Sequence, residues 1–257
     1  MLIDNKFIYL SLPRRGSTSF HYSCILHGLE IQTLNKWNYV NSNVDFTTID
    51  ENLIMDYIMH GHDTLIELGN TFGFGYPVIS VKRDRHETFY SLYKHLLFEF
   101  KRIGANDFYE YFKNITLDDL FFYNSEELLT KKYRWDIISE YLISKNLLSN
   151  PVKIPIGIKG EPIKINIQEY IMNVIDLLIS PASYWHNNDP NIIWFDINNL
   201  KDMEEWVSNM IQKPFVLQNV NSSKHMESKL ELDSDFIEKY NSIYDFYDLP
   251  KSVKTLI

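Results

Sequence analysis

Residues 12–20 read LPRRGSTSF, and they follow directly on the short apolar run KFIYLSL at residues 6–12. This run is bounded by Pro13 and then Gly16, which predicts a buried strand that ends in a tight loop. Residues 17–29 (STSFHYSCILHGL) have the apolar spacing of a helix. The start of the chain therefore predicts a unit of strand, turn and helix.

The rest of the chain alternates apolar strands with helical segments. Strands are predicted at 77–81 and 192–196, helices at 50–60, 87–100, 117–122, 133–143, 203–211 and 235–244, and a surface hairpin at about 152–167. This order predicts one α/β domain over residues 1–257, with a parallel sheet flanked by helices and ligand loops at the carboxyl ends of the strands. We interpret residues 101–150 as a helical insertion or lid.

Composition limits the possible partners and compartment. The 257 residues carry a formal net charge of -9, so general nucleic-acid binding is disfavoured and an anionic partner would need a local basic patch. Cys24 is the single cysteine, which excludes an internal disulfide and fits a buried small hydrophobe in a reducing compartment. With no recognisable signal peptide or membrane span in the sequence, we expect a soluble, cytoplasmic protein.

The loop after the first strand has the residues of a phosphate cradle. The amino end of a helix offers free N–H groups and the positive end of the helix dipole, and arginine and hydroxyl side chains add to it. The candidate anion-binding residues are Arg14, Arg15, Gly16, Ser17, Thr18 and Ser19. The nucleoside-triphosphate pattern G-x-x-x-x-G-K-[ST] is absent, because Ser11 and Ser17 stand where it needs glycine and lysine. The competing interpretation is a serine N-cap with arginines at the surface.

A second candidate anion site follows the strand at 77–81. Arg83 stands at the strand end, and Ser91 comes eight residues later on the next helix. The planar guanidinium and the hydroxyl could converge on one phosphate. The competing interpretation is a charged helix start, in which Asp84 and Glu87 favour the helix dipole.

These two sites, in this order, resemble those of the sulfotransferases that use 3'-phosphoadenosine 5'-phosphosulfate (PAPS). LPRRGSTSF is similar to the family's P-K-x-G-[ST]-[ST] loop, and Arg83 with Ser91 is similar to its 3'-phosphate motif. Between them, His60-Gly61-His62 resembles the segment of the catalytic histidine in the uronyl and heparan sulfate 2-O-sulfotransferases. Residues 192–200 and 219–223 resemble the family's C-terminal part more weakly.

The resemblance implies a P-loop NTPase-like sulfotransferase fold that transfers sulfuryl from PAPS, the co-substrate, to a hydroxyl, and an acceptor that is a saccharide. It implies that His62 is the base and His60 a supporting group, although the sequence leaves the order of the two open. Arg14 stands where the family has lysine; it stays charged and can stabilise the leaving phosphate. The loop residues would hold the 5' group, and Arg83 and Ser91 the 3'-phosphate. No metal is expected, although a metal-binding histidine pair is an alternative.

Other candidates are weaker. Trp185 could stack on a sugar or on adenine, but a packing role is the simpler interpretation. Glu67 could orient a histidine, but an exposed carboxylate on a helix is the simpler interpretation. Lys224 and His225 could touch a ligand from a turn. A basic groove for an anionic glycan would need Lys131, Lys132, Arg134, Lys153, Lys159 and Lys164. Two other functions remain open: a nucleotide-dependent phosphotransferase, and a non-catalytic nucleotide-binding or glycan-binding module.

Overall fold

The computed structural model describes residues 1–34, 62–115, 130–155, 166–218 and residue 238. Within these ranges the elements are β1 (Leu2–Ile3), β2 (Phe7–Tyr9), α1 (Ser17–Leu26), β3 (Ile31–Gln32), α2 (Leu65–Phe72), β4 (Val78–Lys82), α3 (Arg85–Arg102), α4 (Asn106–Lys113), α5 (Lys131–Ser144), α6 (Ile167–Ile179), α7 (Ala182–His186), β5 (Ile193–Asp196) and α8 (Lys201–Ile211). None of the described helices is both long and apolar enough to cross a membrane.

The strands form one mixed sheet in the order β3-β1-β2-β4-β5. β2, β4 and β5 are parallel, with Ile8 opposite Val78 and Ile79 opposite Ile193. β1 is antiparallel to both of its neighbours. The fold is therefore α/β, as the sequence predicted, with helices packed on the sheet.

The prediction of a parallel sheet is wrong on one side of β2, where β1 pairs antiparallel with β2 and with β3. Asp4 and Asn5 have φ of 48° and 52°, the left-handed conformations that tight hairpin turns require, and Lys6 N–H donates to the Ile3 carbonyl at 2.8 Å. This turn folds β1 back against β2, so the chain enters the sheet through a hairpin. β1 is two residues long, too short to show a periodic pattern.

Both faces of the sheet are buried. Phe7 and Tyr9 of β2 pack on one face in a cluster with residues of α1 and α8, whereas Ile8 packs on the other face with residues of α2 and α7. Cys24 is fully buried on the α1 side, and burial raises the pKa of its thiol, which confirms that it is a packing residue. This alternation along β2 places its side chains in the cores on both faces of the sheet.

Several predicted elements agree with the structure to within a few residues. The predicted strands at 77–81 and 192–196 are β4 and β5, and the helices predicted at 87–100, 133–143 and 203–211 are α3, α5 and α8. The hairpin predicted at 152–167 falls mostly outside the described residues; residues 152–155 form no strand, and Ile167 begins α6. The helices predicted at 50–60 and 117–122, and all but residue 238 of the one at 235–244, also lie outside them.

A separate hydrophobic cluster joins α3, α4, α5 and α6. Beside it, the guanidinium of Arg134 donates to both carboxylate oxygens of Asp176, at 2.6 and 3.3 Å, and stacks over the Tyr184 ring at 4.1 Å. α4 and α5 are the described helices of residues 101–150, and the interpretation of that stretch as an insertion or lid stays a prediction.

Replacing Arg134 should destabilise the protein strongly, because the Asp176 carboxylate would stay buried without its counter-charge. We expect Arg134→Met to lower the free energy of unfolding by about 3–5 kcal/mol. Lys132→Met is the matched control on the same helix: it breaks the exposed Lys132–Asp136 pair and should cost less than ~1 kcal/mol. Urea unfolding of both variants measures the difference, and equal losses would contradict this description of α5.

Candidate anion-binding site

The loop after β2 is held firmly at its base. Leu10 N–H donates to the Ile79 carbonyl at 2.9 Å, and Ser80 Oγ donates to the Leu10 carbonyl at 2.8 Å. The Tyr9 and Phe20 rings stack with centroids 3.9 Å apart, which packs β2 against α1. The loop between these anchors therefore has little freedom, and its residues meet at the carboxyl ends of β2 and β4.

The amino end of α1 is capped by Gly16, not by a serine. Gly16 has a φ of 80°, the left-handed region that favours glycine, and no side chain caps the helix. There is no acidic residue in its first turn, while Arg15, Ser17 and Thr18 are all buried beside it. The interpretation of an ordinary serine N-cap is therefore wrong. The positive end of the helix dipole and a buried guanidinium lie together.

Arg14 joins the two anion sites that the sequence separates. Its Nε donates to Ser91 Oγ of α3 at 3.2 Å, and its carbonyl accepts from Arg83 Nη1 at 3.3 Å. Arg14 also has a left-handed φ of 57°, which is uncommon for a residue with a side chain and turns the loop toward α3. Burial, and then the charge of Arg83, lower the pKa of Arg14 to about 10. Two cations are thus held close together.

His62 lies beside the same loop. Its Nδ1 is 2.8 Å from the Ser11 carbonyl and 3.2 Å from Ser11 Oγ. Because a carbonyl oxygen can only accept, the neutral ring carries its proton on Nδ1 and its lone pair on Nε2. Burial lowers the pKa of His62 to about 4, Arg14 lowers it too, and the Ser11 hydrogen bond opposes them. The imidazole is therefore neutral at physiological pH, with the lone pair of its second nitrogen on Nε2.

The remaining predicted residues are placed as follows. Ser91 is buried, Arg83 also contacts the Glu87 carboxylate at 3.4 Å, and Ser19 lies in the first turns of α1. Glu67 caps α2, since its carboxylate accepts from the backbone N–H and the hydroxyl of Thr64, at 3.0 and 3.1 Å. His60, residues 219–223, Lys224 and His225 lie outside the described residues.

The predicted basic groove is not formed as a set. Arg134 is fully buried against Asp176, so it cannot contact a glycan. Lys131 donates to the Asn173 side chain, Lys132 pairs with Asp136, and Lys153 is exposed. Lys159 and Lys164 lie outside the described residues. An acceptor surface therefore cannot include Arg134.

Two histidines that sequence reasoning missed lie near the arginines. His186, at the end of α7, is fully buried; its Nδ1 accepts from Asn188 N–H at 3.0 Å, which places its proton on Nε2. That Nε2 has no hydrogen-bond partner within the described ranges, and burial, then the charge of Arg15, lower the pKa of His186 to about 4. His95 lies one helical turn after Ser91. In the sequence, the four-residue spacing of Ser91 and His95 could have pointed to His95. The only signal for His186 was its position next to Trp185.

The arrangement has the charge that an anion site would need. On a chain of net charge -9, it collects three arginines and three neutral histidines at one sheet edge: Arg14, Arg15, Arg83, His62, His95 and His186. The guanidinium groups of Arg14 and Arg83 repel each other, since the charge of Arg83 helps to lower the pKa of Arg14. A bound anion would offset this repulsion. Within the described part of the chain, no group of three or more His, Cys, Asp or Glu side chains could hold a metal ion.

Comparison of the chain with models of known families, with curated proteins and with solved structures found no match.

The neutral histidines should make stability depend on pH. Burial is the first cause of a pKa lowered to about 4 in each of His21, His62, His95 and His186. Their unfolded pKa is near 6.5, so the unfolded chain binds more protons between these values. The free energy of unfolding should therefore fall as the pH is lowered from about 6.5 to 4, by up to roughly 1.4 kcal/mol per pH unit for each histidine.

Urea unfolding over this pH range measures the slope for the natural chain and for His186→Gln. The slope of the unfolding free energy against pH should be smaller for the variant, by the contribution of about one proton, since glutamine does not titrate. Equal slopes for the two proteins would show that His186 is not held neutral.

Proposed function

We propose that this protein transfers the sulfuryl group of PAPS to a hydroxyl group of an acceptor, and that the acceptor is a saccharide. The observation that carries the proposal is the convergence of Arg83 and Ser91 on Arg14, beside His62, where β2 and β4 end. A donor with two phosphate groups needs two clusters of cations and hydroxyls a short distance apart. The loop before α1 and the start of α3 are two such clusters.

The donor fits the charges of the site. The amino end of α1, with Arg15, Ser17 and Thr18, would hold the 5'-phosphosulfate, and Arg83 with Ser91 would hold the 3'-phosphate. In the structure the Ser91 hydroxyl accepts from Arg14. Donor binding would exchange this contact, so that the Ser91 hydroxyl meets the 3'-phosphate and Arg14 the oxygen that links sulfur to phosphorus.

His62 would act as the base. Its Nε2 lone pair would accept the proton of the attacking hydroxyl, whose oxygen forms the new bond to sulfur while the bond from sulfur to the 5'-phosphate oxygen breaks. The 3',5'-bisphosphate leaves, and Arg14 offsets the charge that grows on its oxygen. A bound anion would also offset the charge of Arg14, which is one of the causes that lower the pKa of His62. Donor binding would thus make His62 a stronger base.

Trp185 packs against the proposed base, His62, and is too buried to contact an acceptor. Its ring lies edge-on to His62, with centroids 6.0 Å apart, and only 6% of the residue is exposed. A side chain so deeply packed offers no free face for a sugar, so it orients the imidazole. The saccharide acceptor therefore depends on the sequence resemblance alone.

A non-catalytic nucleotide-binding module is the second candidate, and one observation favours it. The pKa of His62 is lowered to about 4, and an imidazole with such a low pKa is a weak base. If ligand binding did not raise this pKa, the site would bind the nucleotide without accelerating transfer.

Nucleotide binding tests the donor site without an acceptor. We expect 3'-phosphoadenosine 5'-phosphate to raise the melting temperature, with a stabilisation of ~2.7 kcal/mol at ~100 times its dissociation constant. ADP, and ATP with Mg²⁺, should stabilise less because they lack the 3'-phosphate. Arg83→Ala should remove the preference for the bisphosphate, whereas Lys101→Ala, at an exposed position of α3, should keep it. Stabilisation by ATP with Mg²⁺ alone would instead favour a phosphotransferase, and no stabilisation would refute the donor site.

Catalysis is tested by release of the bisphosphate from PAPS in the presence of saccharide acceptors. His62→Gln should lower kcat by about 10²- to 10⁴-fold, because it removes the proton acceptor. The dissociation constant of the bisphosphate should stay close to that of the natural chain, which separates loss of the base from loss of binding. Unchanged turnover in His62→Gln would exclude it as the base. Bisphosphate binding with no turnover of the natural chain on any acceptor would favour the binding module.

A further inference from the structure

α3 carries a line of polar side chains that begins at the anion site. Ser91, His95 and Glu99 are four residues apart, so they lie one above another on one face of the helix. Ser91 accepts the hydrogen bond from Arg14 at one end of this line. At the other end the line enters the packed region between α3 and α6, where a carboxylate is costly unless it is paired.

Glu99 is held in place through one of its two oxygens. The Tyr170 hydroxyl of α6 donates to Oε2 at 2.5 Å, and Arg102 donates to the same oxygen from Nη2 and Nε, at 2.7 and 2.9 Å. These bonds raise the pKa of Arg102. Only 5% of Glu99 is exposed. Its second oxygen, Oε1, lies 3.9 Å from Nδ1 of His95.

His95 stands between this carboxylate and the arginine of the loop. Its Nδ1 is buried and has no hydrogen-bond partner in the described part of the chain, since 3.9 Å is too long for a hydrogen bond to Glu99. The charged and titratable groups that act on it are Arg14, Glu99, His62 and Arg102. Burial, and then Arg14, lower the pKa of His95 to about 4, while Glu99 opposes them. The ring is neutral first because it is buried, and second because the charge of Arg14 outweighs that of Glu99.

We propose that His95 takes up a proton when an anion binds at Arg14, and that Glu99 is the counter-charge held ready for the resulting imidazolium. An anion offsets the charge of Arg14, which leaves Glu99 as the dominant neighbour of His95. A protonated Nδ1 could then close the gap to Oε1 and form a charge-assisted hydrogen bond. His95 would thus add positive charge to the site only when a ligand is present, without itself taking part in the transfer step.

This inference deepens the proposed function and uses its donor site. It also gives the site a preference among ligands. An anion that carries more charge offsets Arg14 more completely, so a phosphate dianion should draw the proton onto His95 more strongly than a singly charged group. In the proposed function the 5' group offsets Arg14, and the 3'-phosphate beside Ser91, one turn from His95, would add its own charge to the attraction for the proton.

Calorimetric titration of the full chain measures the proton directly. The bisphosphate, and separately inorganic pyrophosphate, are titrated near pH 7 in two buffers of different ionisation enthalpy, and the difference in heat gives the protons taken up. We expect the natural chain to take up most of one proton more than His95→Gln does. One proton linked to His95 should favour binding by up to about tenfold per pH unit as the pH falls from 8 to 6, and the variant should lose this contribution while it keeps those of His62 and of the ligand phosphates.

Three variants make the assignment specific. His62→Gln should keep the His95-dependent part of the uptake, which separates the two histidines. His86→Gln is the matched control, because His86 of α3 also faces a carboxylate, at 3.6 Å from that of Asp84, which caps the helix, and the uptake should not change. Glu99→Gln should reduce the uptake, since it removes the counter-charge; thermal melts check that each variant is folded.

The outcomes separate this inference from the proposed function. Equal proton uptake by the natural chain and His95→Gln would overturn the role of His95 and leave the donor site standing. Binding of pyrophosphate with His95-dependent uptake, but no binding of the bisphosphate, would overturn the proposed function and support His95 as the proton acceptor. No binding of either ligand would overturn both.

Discussion

The site depends on how Arg14 is held between two elements that are far apart in the chain. Its side chain bonds to Ser91, 77 residues later, and its carbonyl accepts from Arg83 at the end of β4. These contacts exist because β2 and β4 are parallel neighbours, so the chain leaves both strands at the same edge of the sheet. The stacked rings of Tyr9 and Phe20 pack α1 against β2, which constrains both ends of the loop between them.

This arrangement holds the positive charges of Arg14 and Arg83 close together at the carboxyl ends of β2 and β4. The charge of Arg83 adds to burial in lowering the pKa of Arg14. The histidines around them stay neutral first because burial disfavours the imidazolium, and the charges of Arg14 or Arg15 add to this. On the proposed function, an anionic ligand would offset the part of these effects that comes from the arginines. It would let His62 become a better base and let His95 bind a proton against Glu99. Binding and the preparation of the base would then follow from the same charge.

Much of the frame could be predicted from the sequence, because β4, α3, β5 and α8 have strong apolar patterns. The strand, loop and helix at residues 6–26 were visible for the same reason. β1 was missed, since two residues show no period and only pairing through the turn at Asp4 and Asn5 defines it. The bond from Arg14 to Ser91 could not be foreseen, because it joins distant residues. His95 and Glu99 look like ordinary helix residues until α6 and the loop pack against them.

A crystal structure with 3'-phosphoadenosine 5'-phosphate tests most directly whether this sheet edge is a site for a nucleotide bisphosphate. The 5'-phosphate should lie on the N–H groups at the amino end of α1, and the 3'-phosphate within hydrogen-bond distance of Arg83 and the Ser91 hydroxyl. Arg14 should have left Ser91 and turned to the 5'-phosphate. A nucleotide bound elsewhere, with the Arg14 to Ser91 bond intact, would contradict the assignment of the site.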